Sequence, residues 1–136
     1  MVGPSADLKG LGATVGSLTT TDPIKTTVIE AVLTFFLVTA VYASGVAGKN
    51  GNLAGVAIGL VLTMDILMGG ALTGASMNPA RTFGPALATG HLEYVAWYIV
   101  GPVIGGAAAA FLYDRVFLKD EPVEVKPTPA KTNKKK

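Results

Sequence analysis

Gly74-Ala75-Ser76-Met77-Asn78-Pro79-Ala80-Arg81-Thr82-Phe83-Gly84-Pro85-Ala86 is the stretch whose local structure decides how the rest of the sequence folds. Pro79 suits the first position of a helix, where a missing N–H costs nothing. Asn78 before it is the candidate N-cap, because its side-chain oxygen can accept from the first free amides. The helix predicted from residue 79 to about 88 stops at Thr89-Gly90, an ordinary C-terminal signal. It would be roughly ten residues or about 15 Å long, half the thickness of a bilayer. A surface helix of this length would carry more polar residues. A re-entrant half-helix matches better, and the irregular stretch from Gly74 to Met77 is then tolerated because it lines a watery cavity.

The flanks point to lipid. Three apolar stretches, at about 26–48, 53–73 and 94–115, are each long enough to cross a bilayer, which takes about 20 residues. Glu30 interrupts the first and Asp65 the second, and Tyr94 to Tyr113 carries no charge. The alternative is a small soluble helical core, but a chain of 136 residues could not bury three such lengths on all sides. Lys49-Asn50-Gly51-Asn52 reads as a tight turn between the first two stretches. The expected fold is therefore an all-α membrane protein with three transmembrane helices and one re-entrant half-helix, over residues 24–118. Arg115, Lys119 and the closing Lys134-Lys135-Lys136 place the C-terminus in the cytoplasm and the 74–93 segment outside. The expected location is the plasma membrane, crossed several times.

Composition narrows the function classes. Charged residues make up 15% of the chain, against about a quarter in soluble domains. Without cysteine, disulfides and thiolate metal sites are excluded, and the single His91 cannot build a metal cluster. The excess of positive charge sits in the tail, since the charges between Pro23 and Leu118 cancel. Residues 119–136 are expected to be a solvated, disordered, lysine-rich tail. No aromatic residues interleave with its lysines, which argues against nucleic acid as a partner. There is no nucleophile–base pair, metal cluster or phosphate loop, so no enzyme and no cofactor is expected. No signal peptide is visible in residues 1–22, which lack a basic start followed by an apolar run, and the first span can itself serve as a targeting signal.

Asn78 and Arg81 carry the chemistry. The positive end of a half-helix at mid-membrane repels cations, and an amide there can donate to a passing water. The other reading of Asn78 is a helix cap alone, and both can hold at once. Arg81 lies about one turn on, near the same face. A guanidinium in the membrane is costly and marks a solute path, or else snorkels to the headgroups. Glu30 either accepts from backbone amides freed by the irregular loop or lies near the outer interface without a partner. Asp65 either pairs within the bundle or holds a proton. Gly55 with Gly59 and Gly101 with Gly105 suggest close helix crossings, though such pairs are common in apolar runs.

The run from Gly74 to Ala86 closely resembles the second signature of the aquaporin, or major intrinsic protein, family. Gly101-Pro102 and Gly105-Gly106 resemble the family's last helix, and the segment from Glu30 to Thr34-Phe35 resembles the start of its fourth. The likeness covers about residues 24–117 and corresponds to the family's C-terminal half. It implies that Asn78, Pro79 and Ala80 form the pore motif and that Arg81, Ile66 and Ala75 line the selectivity constriction. Gly74, Ser76 and Met77 would offer backbone carbonyls along the pore, with Glu30 and Thr34 as structural support. Ile66 stands where strict water channels have histidine, which implies a less polar constriction, as in plant vacuolar or archaeal-type members. If Ile66 instead faced lipid, the alignment would mislead. Thr82, Ala86 and Tyr98 are water-like, while Ile99 replaces a usual tryptophan. The implied activity is passive conduction of water, and of small neutral solutes, across a lipid bilayer. Residues 1–23 resemble the external loop that joins the family's halves. A missing N-terminal half, and a homotetramer when complete, follow from the resemblance. The rival is a small membrane packing protein with no transport of its own.

Overall fold

The computed structural model describes residues 12–48 and 50–118. The expected lysine-rich tail at 119–136, residues 1–11 of the expected external loop, and Lys49 of the turn lie outside the described residues.

Among the described residues, four helices follow one another. Helix α1 is Pro23–Val41 and runs on through a π-helical turn at Tyr42–Val46. A single 3-10 turn at Gly51–Leu53 leads into α2, Ala54–Thr73. The short helix α3 is Pro79–Thr89, and α4 is Trp97–Val116. The all-helical membrane fold is thus present, with three helices among the described residues long and apolar enough to cross a membrane: Pro23–Val46, Gly51–Thr73 and Trp97–Val116. The first helix starts earlier than the stretch at 26–48 suggested. Asp22 accepts from the Lys25 amide at 3.0 Å and Pro23 occupies the first turn, a cap-and-proline start. The last helix starts at Trp97 rather than 94, because Tyr94 to Ala96 are still in turns.

Helices α1 and α4 run parallel and touch backbone to backbone. A Cβ on Gly105 would land on the Ala31 carbonyl, and one on Gly101 would lie 2.6 Å from the Thr27 carbonyl oxygen. Small residues thus set the closest crossing in the bundle. Gly55 and Gly59 behave differently: a Cβ on either meets nothing within 4 Å, so that pair makes no close crossing within the described residues. Helix α2 runs antiparallel to α1 and leans on it at Gly69, which receives the end of Leu33; a Cβ on this glycine would lie 2.5 Å from Leu33 Cδ1. The outer faces stay apolar and open, with Ile24, Leu60, Leu67 and Phe111 all more than 60% exposed. That pattern suits helices solvated by hydrocarbon or by other helices.

Candidate functional site

Between α2 and α3 the backbone leaves helical geometry for a few residues. Gly74 caps α2 in the left-handed region at φ 84°, and Ala75 and Met77 follow at φ 44° and 52°. Left-handed geometry costs a non-glycine residue about 1 kcal/mol or more. It persists here because the surroundings hold it. Gly74 is required twice, since a Cβ would also lie 2.6 Å from the Val15 nitrogen.

Glu30 is the main support. It is fully buried on α1, and its two oxygens accept three bonds: from the Thr73 hydroxyl at 2.7 Å, the Ser76 amide at 3.0 Å and the Met77 amide at 2.7 Å. The Thr73 hydroxyl in turn accepts from the Ala75 amide at 3.2 Å. The amides freed by the irregular stretch therefore end on a carboxylate or on a hydroxyl bound to it, which satisfies them without water. Thr34 does not reach the turn; its hydroxyl bonds back to the Glu30 carbonyl at 2.7 Å within α1.

Helix α3 begins where this turn ends. The side-chain oxygen of Asn78 accepts from the Ala80 amide at 2.9 Å and the Arg81 amide at 3.3 Å. That leaves the NH2 group as the end of Asn78 that can donate outward. Thr82 and Ala86, one turn apart, are buried, and Ala86 packs with Val15, Tyr94, Val95 and Tyr98. Asn78 and Arg81 lie on the exposed side. The Arg81 guanidinium donates from Nη1 to the Ala75 carbonyl at 2.6 Å, which fixes it against the left-handed turn. Gly90 closes the helix at φ 76°.

The sequence-derived site residues thus come together unequally. Asn78, Pro79, Ala80 and Arg81 form the first turn of α3, and Gly74 to Met77 form the turn leading to it. Ile66 is 43% exposed on α2. Ala75 is buried against Leu33 and Met77, so what it presents to Arg81 is its carbonyl rather than its side chain. Asp65 is buried, and neither of its carboxylate oxygens has a hydrogen-bond partner among the described residues. Pairing within the bundle, one of the two readings of Asp65, is therefore not made among the described residues. No group of His, Asp or Glu side chains among the described residues has metal-binding geometry.

Sequence reasoning missed a set of hydroxyls. Thr14, Thr19, Thr73 and Tyr98 are all buried and all hydrogen-bonded around the turn. Their partners are distant in sequence, and nothing local in the threonine spacing marks them.

Residues 7–113 match the family model described as "Major intrinsic protein". The chain belongs to the major intrinsic protein family. Among similar family proteins, Aquaporin TIP1-2 of Zea mays is 49% identical over 106 residues, 76% of this chain and 42% of that protein. Aquaporin TIP2-3 of Arabidopsis thaliana is 41% identical over 119 residues, 85% of this chain and 45% of that protein. Aquaporin NIP1-1 of Zea mays is 40% identical over 111 residues, 79% of this chain and 39% of that protein. The chain therefore spans less than half the length of these relatives. The matched region of the family model takes in the left-handed turn, α3 and most of α4.

Proposed function

We infer that this chain supplies half of a passive water channel, with the first turn of α3 at the narrow part of the path. One observation carries the reading: Asn78 gives its oxygen to the amides of its own helix and keeps its NH2 on the open face, with Arg81 one turn behind it. A water reaching that tip meets two N–H donors and the positive end of a helix. It is turned to offer its oxygen, which interrupts the hydrogen-bonded file along which a proton would hop. The Arg81 charge adds a barrier to cations. Ile66 contributes an apolar wall, so small neutral solutes such as glycerol or urea are admitted alongside water. The names of the relatives, aquaporins in each case, support the same activity.

The rest of the reading is supported by the positive charges that follow α4 in the sequence and by the family likeness. Helix α3 lies half-way into the bilayer from the outer side, and the C-terminus is cytoplasmic. A complementary N-terminal half closes the pore, and the complete channel is a homotetramer in the plasma membrane. Osmotic swelling of proteoliposomes holding the chain with a complementary half tests conduction. Swelling should be fast in the wild type and reduced to the lipid background by Arg81→Glu or Asn78→Asp. Equal swelling of the variants, or none in any combination, sinks the reading in favour of a packing protein. Protease access to the tail in sealed cells, with fractionation, tests the orientation and the membrane.

A further inference from the structure

Two chains of hydrogen bonds run from residues 14–19 into the two ends of the left-handed turn, and their direction can be read. A carbonyl only accepts and a hydroxyl has one proton to give. Ser76 Oγ lies 2.9 Å from the Asn78 carbonyl and must donate to it. Thr82, at 2.6 Å from Ser76 Oγ, then donates to Ser76, and Thr14, at 2.6 Å from Thr82 Oγ1, donates to Thr82. The second chain ends on the Thr73 carbonyl, which accepts from the Tyr98 hydroxyl at 2.6 Å. Thr19, at 2.6 Å from Tyr98 Oη, donates to Tyr98 and itself accepts from the Gly16 amide at 2.9 Å. One chain thus finishes just before the left-handed residues and the other just after them.

The backbone of the same segment adds to this. Ser17 and Leu18 donate to the carbonyls of Ala71 and Leu72 at 3.0 and 2.9 Å. With Gly74 on Gly70 and Tyr98 on Thr73, the carbonyls of the last turn of α2 are all satisfied. Val15 packs with Ala86, Tyr94 and Tyr98, an apolar cover over the hydroxyls.

We propose that Thr14 and Thr19 are positioning residues: they clamp residues 73–78 from both ends and thereby set where the Arg81 guanidinium stands. The link to Arg81 is its bond to the Ala75 carbonyl, which lies inside the clamped stretch. Neither threonine touches the solute. Their influence on solute choice rests on the channel reading, whereas the clamp itself does not.

Hydrogen exchange on the full chain in nanodiscs separates the two. Thr14→Val keeps the shape and removes the donor. It should speed exchange of the amides at residues 75–82 by roughly tenfold, the effect of one lost buried hydrogen bond. Rates in residues 28–40 and 104–114 should stay as in the wild type. Thr19→Val should do the same at residues 73–77, and Thr14→Ser should restore the wild-type rates. In swelling assays with the complementary half, Thr14→Val should raise the ratio of glycerol to water permeability. Unchanged exchange at 73–82 overturns the clamp, even if the wild type conducts water. A uniform rise along every helix, or failure of both valine variants to fold, also overturns it, because the threonines would then hold the whole fold. A local rise in a chain that conducts nothing keeps the clamp and removes the channel reading.

Discussion

Glu30 and Asp65 are both acids on membrane-spanning helices, and both are fully buried, yet their surroundings are opposite. Glu30 accepts three hydrogen bonds from the left-handed turn and its flank. Asp65 accepts none among the described residues. An acid in hydrocarbon is costly in either place. At Glu30 the cost is offset because the carboxylate replaces water for amides that would otherwise be stranded. At Asp65 nothing among the described residues offsets it. Burial alone therefore says little about an acid in a membrane; the donors that face it decide its role.

The largest effect is expected at Glu30. Replacing it with Gln turns one acceptor into an NH2 group that faces an N–H or O–H donor. We expect a loss of about 2–4 kcal/mol in unfolding measured in detergent. A loss below about 1 kcal/mol would mean that the turn is held by something else. Asp65→Leu should act in the other direction, leaving stability unchanged or raising it by about 1–3 kcal/mol, because an unpaired buried polar group is removed. Destabilisation there would reveal a partner for Asp65 outside the described residues and would erase the contrast. Thr73→Val removes one donor from Glu30 and the acceptor of the Ala75 amide. The expected cost is about 1–2 kcal/mol, read by the same unfolding experiment.

The smallest effect belongs to a third acid, at the surface. Asp22 is held below the ordinary carboxylate range by hydrogen bonds from the side chain and the amide of Lys25. Its native value is depressed, so the cap is in place at neutral pH. It is lost as the pH falls below the ordinary value of 3.8 through the lower native one. Exchange at residues 24–27 should quicken over that acid range, and Asp22→Ala should abolish the dependence.

What could be read from the sequence follows the range of the interactions. Helix α3 and its cap are legible because Asn78-Pro79 and Gly90 act on their immediate neighbours. The spans are legible because hydrocarbon demands long apolar runs, although the Asp22-Pro23 start of α1 is easily overlooked beside the stronger hydropathy signal. The role of Gly101 and Gly105 is visible as spacing, but the same spacing at Gly55 and Gly59 leads to no contact within the described residues. The hydroxyl chains are not legible at all. Thr14 meets Thr82 across 68 residues and Thr19 meets Tyr98 across 79. A threonine bonded across the bundle looks the same in sequence as one bonded to its own helix, as Thr27, Thr39 and Thr63 are.

The glycine seam between α1 and α4 has a mechanical meaning. Main chain resting on main chain leaves no side chain that can change rotamer to absorb a displacement, so these two helices move as a single stiff plate. On the other flank, the notch at Gly69 is filled by the pliable end of Leu33. A displacement between α1 and α2 is therefore taken up first at the Gly69 notch, while the seam beside Glu30 resists it.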